Sequence, residues 1–342
     1  MRLIRPSYEI IEQGPGLQGI YDIIERCGKI SYKSEPKGGE VAKRFVEART
    51  KEKHGAVLEF GTVYLDIPVN LDTWDWREFY EKNHHSKICL FDDGEVIHCY
   101  VTTNYRVLVE NNRLDDLKYL CEPTECHEKR YAVKFITDIG VGREFLRHRV
   151  MSMVQESTRY VNYSKEKFGE QCTFVIPPWI GPDKLSEGES VEYWDGDWVD
   201  MNGYPKIVHH GEVFGPGDRV DAWLWALDMA NKAYKELTND WNHIQGINEE
   251  DKAAWPAQYA RGVLPLATKT EFVLCGFTDA WIHFFRLRSD IAATGKPHPQ
   301  SVELANPLRD EFIERKYITE EDLEHDSYEP FDVCVSDTPL KD

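Results

Sequence analysis

The stretch Arg143–Tyr160, REFLRHRVMSMVQESTRY, decides how the rest of the chain is read. Arg143, Arg147, His148, Arg149 and Arg159 fall within seventeen residues. Ser152, Gln155, Ser157, Thr158 and Tyr160 add hydroxyl and amide groups among them. The chain around this knot is acidic, with a formal charge of −19 over 342 residues. A guanidinium presents a planar fork that grips phosphate or carboxylate oxygens in pairs, which an ammonium cannot do. Hydroxyls and turn N–H groups complete a phosphate cradle. The competing reading is a solvated basic helix face, since charge runs are usually surface features. The Ser-rich continuation weighs against it, because an ordinary amphipathic helix would use Ala, Leu, Glu and Lys there.

Bulk properties narrow the partners. At 41% hydrophobic, with ten Trp, seventeen Tyr and fifteen Phe, the chain has material for a real core and lacks the composition of a disordered one. The acidic balance excludes a broad basic surface for a nucleic-acid polymer. A small anion in a local cationic pocket fits better. No apolar run long enough for a membrane span occurs, and the start, MRLIRPSYEIIEQGPG, lacks the apolar core of a signal peptide. Eight scattered cysteines are expected to be reduced thiols, which together with the plain start predicts a cytoplasmic protein. Cys121 and Cys126-His127 have ligand-like spacing, but no second pair follows at zinc-finger distance, so no metal is expected.

Periodicity predicts helices over 17–30, 40–53, 220–238, 256–264 and 278–294, and a helix starting near Arg143 after Gly140 and Gly142 loosen the chain. Residues 56–67 and 131–141 read as strands, and 96–109 as a strand pair. Residues 163–220 read as loops with short strands, and 319–342 as a frayed acidic end. The class is α+β. One catalytic domain is expected over 1–320, with insertions at about 68–130 and 163–220 and an acidic tail over 321–342.

A second basic set follows in YARGVLP (259–265) and WIHFFRLR (281–288). His283 and Arg286 share a helix face at a spacing of three. Arg288 lies about 140° round from His283 and is expected to face elsewhere. A lone His on such a helix is more often packed than catalytic, and the same holds for His54 beside Glu59.

Together these blocks resemble the flavin-dependent thymidylate synthases. The signature is Arg-His-Arg, seven residues, then Ser, and Arg147, His148, Arg149 and Ser157 match it; Ser152, Arg159 and Tyr160 match its longer form. ARGVLPLATKT followed by HFFRLR is similar to the second block, HGAVLEF to the first, and IERCGKISYKS to the N-terminal element. In order, the four cover about half of the chain.

The resemblance implies an α+β fold with a mixed or antiparallel sheet flanked by helices, a homotetramer, and sites built from more than one subunit. It implies FAD, NADPH and 5,10-methylenetetrahydrofolate as cofactors and dUMP as substrate. By position, Glu144, Arg147, Gln155, Ser157, Thr158, Arg159, Arg261 and Arg288 would meet dUMP. Ala56, Glu59, Arg147, His148, Arg149, Val150, Gln155 and His283 would meet FAD. Arg288, set against the N3–O4 edge of uracil, is the catalytic candidate. No cysteine nucleophile is needed, and Glu125-Cys126-His127 reads as non-catalytic.

The pattern departs in places. Val154-Gln155 stand where the family often has Asn-Glu, and Gln300 and Glu303 echo a family Gln-x-Glu helix. Phe277 and Asp279 replace Asn and Arg that would contact FAD, and Asp279 would repel a flavin phosphate unless a cation pairs with it. Two alternatives therefore stay open: a dUMP hydroxymethylase on the same scaffold, and a non-catalytic nucleotide-binding homologue.

Overall fold

A computed structural model describes residues 1–70, 73–188, 207–209, 212–214, 219–240, 248, 252–292 and 295–324. The first half runs β1 (Arg2–Ile4), β2 (Ser7–Ile11), α1 (Gly16–Ile30), α2 (Gly39–Lys51), β3 (Thr62–Pro68), α3 (Trp74–Lys82), β4 (Lys87–Asp92), β5 (Ile97–Asn104), α4 (Tyr105–Glu110), β6 (Arg130–Asp138) and α5 (Ile139–Phe145). It continues through β7 (Ser152–Gln155), β8 (Thr173–Val175), β9 (Ile207–His209), β10 (Glu212–Phe214), α6 (Arg219–Thr238), α7 (Ala257–Ala260), β11 (Lys269–Phe277), α8 (Thr278–Arg288), α9 (Pro299–Glu314) and α10 (Glu320–Glu324). Short 3-10 turns at Gly55–Phe60, Leu114–Tyr119 and Arg261–Val263 fill the joints.

The central sheet has the order β2-β6-β11-β7, antiparallel throughout. Side chains alternate across a strand, so β11 serves two layers. Phe272 and Leu274 pack with Val133, Phe135, Phe145, Trp281, Phe284, Leu308 and Phe312 under α5, α8 and α9. Val273 and Cys275 face the other way, onto Ile23 and Cys27 of α1 and Phe60. The aromatic layer beneath α8 is dense: Phe145 and Phe284 meet edge to face at 4.8 Å, the geometry the ring quadrupoles favour. The α+β class with antiparallel sheets and flanking helices is as the sequence predicts.

The stretch 68–130 builds a sheet of its own. β4 and β5 pair with β3 in the order β3-β5-β4, over a core that α1 shares through Ile20 and Ile24. α1, α2 and α6 form where the periodicity predicts them. Much of 163–220 and the tail beyond 324, with Cys334, lie outside the described residues.

Several expectations need correction. The helix placed near Arg143 begins at Ile139 and ends at Phe145; Gly140 and Gly142 lie inside it, and Arg147–Arg149 follow it in a turn. The Asp138 carboxylate starts this helix by accepting the Val141 N–H at 2.7 Å, an N-cap that outweighs the two glycines. Residues 96–109 are one strand and then a helix, because Asn104 caps α4 by accepting from the Val107 N–H. The strand predicted over 56–67 opens with a 3-10 turn, and the helix over 278–294 stops at Arg288. β1, β2, β11 and α9 carry no prediction of their own in the residue pattern.

Candidate active site

The site lies around β7, which threads the basic stretch along one edge of the central sheet. At its start, the Ser152 hydroxyl accepts from Arg130 Nη2 at 3.2 Å. Arg130 also donates to the Glu59 carbonyl at 3.1 Å, and Arg106 binds the Glu59 carboxylate. Glu59 is therefore joined to the signature through Arg130, while Arg106 ties its carboxylate to Glu110. At the strand's end, Gln155 donates to Thr270 Oγ1 at 3.0 Å, on the face that carries α5. A Cβ on Gly142 would lie 3.4 Å from the Gln155 amide nitrogen, so the glycine lets α5 approach.

Arg288 is held at all three of its guanidinium nitrogens. Its Nε donates to His148 Nε2 at 3.1 Å, Nη1 to Glu144 Oε2 at 3.0 Å, and Nη2 to the Glu144 carbonyl at 2.8 Å. Ser301 of α9 leans on the same Glu144 carboxylate at 3.4 Å. The guanidinium side chain is 18% exposed. Burial lowers its pKa, Glu144 opposes that shift, and the charge of Arg147 adds to it. A guanidinium has five N–H donors in a plane, so three used within the chain leave two.

His148 is buried, and its pKa is held down at about 4 by burial first and then by Arg288 and His283. It is neutral at pH 7. Accepting at Nε2 puts its proton on Nδ1. The His283 ring lies 5.8 Å from it, edge on. His283 and Arg288 thus reach one imidazole despite leaving α8 at different angles, because the arginine side chain is long enough to fold back. That corrects the expectation that they face apart. Arg286 is the one that turns away, donating to the carbonyls of Asp322 and Leu323.

Beyond β7 the chain makes a turn. Ser157 donates its backbone N–H to the Ser31 carbonyl at 3.2 Å, and its hydroxyl accepts the Arg159 N–H at 3.3 Å. Arg261 Nη1 donates to Thr158 Oγ1 at 3.3 Å, across a sequence gap of 103. The Tyr32 and Tyr160 rings stand 5.4 Å apart at the rim. Arg147, Arg149, Arg159 and Arg261 are exposed, as is Val150. Ala56 lies in the 3-10 turn beside Glu59. The predicted residues therefore gather in three groups along one strand: Glu59 with Ser152, Glu144–His148–His283–Arg288 with Gln155 nearby on the α5 face, and Ser157–Arg159 with Arg261.

Two further expectations find a physical setting. Asp279, at the start of α8, pairs with Lys87 Nζ of β4 at 2.9 Å, and that ammonium lies 4.9 Å from the centre of the Phe277 ring. The cation that neutralises Asp279 comes from the stretch 68–130. His127 is buried, its pKa lowered to about 4 by burial; its Nε2 meets the Leu65 carbonyl at 3.1 Å and its Nδ1 the Thr124 N–H at 3.1 Å. That is a packing role. Among the described residues, no group of three or more His, Cys, Asp and Glu side chains could hold a metal, the described cysteines are free, and no helix is long and apolar enough to cross a membrane.

Sequence reasoning missed Asp138, Arg130, Ser301, Glu156 and Lys269. None left a clear local signal: Glu156 follows β7 among polar neighbours, and Lys269 opens β11 between Thr268 and Thr270.

Fold and side chains define an α+β protein with an arginine-rich edge on its central sheet. A family model, thymidylate synthase complementing protein, matches residues 127–312, more than half of the chain. The chain belongs to that family and is a methyl-transferring enzyme. Among solved structures it is similar to the UMP/dUMP methylase PolB from Streptomyces cacaoi bound with 5-Br dUMP, at 14% identity and a TM-score of 0.38 over 92% of this chain and 93% of that one. The same methylase bound with 5-Br UMP gives 14% identity and 0.38 over 92% of each. No curated protein matches it.

Proposed function

We propose that this enzyme is a flavin-dependent thymidylate synthase, converting dUMP to dTMP. The observation that carries the reading is the clamped Arg288, joined to the signature stretch through Glu144 and His148. Carbon 5 of uracil attacks a carbon donor only when the ring carries negative charge. The two remaining N–H donors of Arg288 are of the kind that the N3–O4 edge accepts, where that charge collects. A preorganised guanidinium shielded from water stabilises it without reorganising at the moment of reaction.

Glu144 and neutral His148 hold the guanidinium plane; a protonated imidazole could not accept from Arg288 Nε. Ser157, Thr158 and the exposed Arg159 and Arg261 form a hydroxyl-and-guanidinium turn suited to a sugar phosphate. Arg147 and Gln155 complete the substrate set.

The residues present fit FAD by the chemistry of their donors. Arg147 and Arg149 suit a diphosphate, and Gln155 offers the paired donor and acceptor that a flavin ring edge requires; Ala56, Glu59, His148, Val150 and His283 complete the proposed set. When bound, FAD reduced by NADPH supplies the hydride and 5,10-methylenetetrahydrofolate the carbon. Exposed Arg147, Arg149 and Val150 suit a homotetramer in which a second copy covers each site.

The Phe277 and Asp279 substitutions favour one second reading, in which water rather than hydride meets the exocyclic carbon and hydroxymethyl-dUMP results. The test starts with the absorption spectrum of the purified protein with and without dUMP. A bound or reconstitutable flavin, dUMP-dependent oxidation of the reduced flavin and tritium release from C5-labelled dUMP are expected. Mass spectrometry of the product separates methyl from hydroxymethyl. A colourless protein that takes up no FAD sinks the proposal.

A further inference from the structure

The Glu156 carboxylate is a deeply buried charge beside the site. Its side chain is 1% exposed, and it meets Lys269 Nζ, whose side chain is 6% exposed, at 2.7 Å. Tyr163 donates its hydroxyl to the other carboxylate oxygen at 3.2 Å. Lys269 also binds Glu271, which Lys134 holds at 2.8 Å. Lys33 faces the same cluster, its ammonium 6.0 Å from the centre of the Tyr163 ring.

Such a network is a poor way to gain stability. Desolvating two charges costs about as much as their attraction returns, and well-packed apolar residues often do as well or better. What it supplies is fixed geometry. Glu156 stands between Gln155 and Ser157, and its backbone N–H is bound to the Glu271 carbonyl at 2.7 Å. Gln155 points to the α5 face of the sheet, through Thr270. Glu156 points to the opposite face, through Lys269 and Glu271. The turn over 155–159 is thereby anchored on the α1 face of the sheet, where the Ser31 carbonyl also binds the Ser157 N–H and Tyr32 packs on Tyr160 just beyond.

We propose that the Glu156–Lys269 pair, with Tyr163, is a positioning device for the Gln155–Arg159 turn, and that nucleotide affinity depends on it. The inference rests on the reading that this turn holds the phosphate and sugar of dUMP. A turn released from that anchor would weaken ground-state binding, so the loss belongs in KM rather than in kcat.

The test compares Glu156→Gln, the double variant Glu156→Gln/Lys269→Met, Lys269→Arg and Tyr163→Phe in the full enzyme. Each is read by steady-state kinetics and by calorimetric titration with dUMP. Glu156→Gln and the double variant are expected to raise KM and the dUMP dissociation constant roughly tenfold or more, with kcat within about threefold. Lys269→Arg should retain most of the affinity. Tyr163→Phe removes one hydrogen bond and little volume, so it folds where the others fail to, and should weaken binding by about threefold. Folded variants that bind dUMP as the wild type does overturn the inference alone. A wild-type enzyme that binds no dUMP overturns the reading of the turn and the inference together.

Discussion

Arg288 has two neighbours that dictate what it can do. Glu144 fixes its plane and His148 fixes its twist. Arg288→Ala is expected to lower turnover roughly 10²-fold or more, as for removal of a charge-stabilising donor. Arg288→Lys should rescue little, because a point charge cannot span an edge that needs a planar fork. Tritium release from C5-labelled dUMP reads both; turnover unchanged in either variant would leave the arginine a scaffold residue. His148 makes a second prediction, on pH. Its folded pKa is about 4 against an ordinary value near 6.5, so the unfolded chain binds the extra proton between those values. Stability is then full above the unfolded pKa and falls as pH drops towards 4, by up to roughly 3 kcal/mol for one such imidazole. His127 acts in the same window. Glu271 acts lower: burial raises its pKa, but Lys269 and Lys134 overcome that and hold it at about 2, so its share is lost only below the ordinary carboxylate range. Melting temperature against pH should therefore begin to fall near pH 6.5, and less steeply in His148→Gln.

At the scale of elements, α5 is the hinge between sheet and site. Asp138 caps it, and Gln300 of α9 donates to the other Asp138 oxygen at 2.5 Å. Asp138→Ala removes the cap and orphans a buried amide, and should cost about 1–3 kcal/mol. Because α5 carries Glu144, turnover should fall along with stability. Denaturant midpoints and activity, measured together, check this; a stability loss at full activity would separate the helix from the site. α1, α2 and α6 were legible because their apolar faces repeat at helical spacing. α5 was not, because two glycines mask a helix that a side-chain cap starts. α4 was hidden behind β-branched residues for the same reason, with Asn104 as its cap. Gln300 stands out in the sequence as an echo of a family helix, but its partner Asp138 lies 162 residues away and leaves no local mark.

Across the whole molecule, charge and site oppose each other. A net −19 repels a nucleotide at long range, while exposed Arg147, Arg149, Arg159 and Arg261 attract it locally. Added salt screens both terms beyond about 10 Å at 0.1 M, but direct guanidinium–phosphate contact is the nearer one. KM for dUMP is therefore expected to rise with ionic strength while kcat holds, as a salt series would show. Exposed Val150, Tyr160, Tyr259 and Leu266 lie in or near the same segments, which suits a subunit contact. Light scattering should give a tetramer, and dilution to monomer should abolish activity; an active monomer would refute shared sites.

From residue order alone followed the α+β class, helices α1, α2 and α6, the arginine knot and its family pattern, because period and motif spacing are local properties. Only the folded chain decided which arginine is clamped, that His148 is neutral, that Lys87 neutralises Asp279, and that Glu156 is buried on the α1 face. Those are contacts between segments more than a hundred residues apart, and burial, which sets their charges, exists only once the sheet and its two layers have closed.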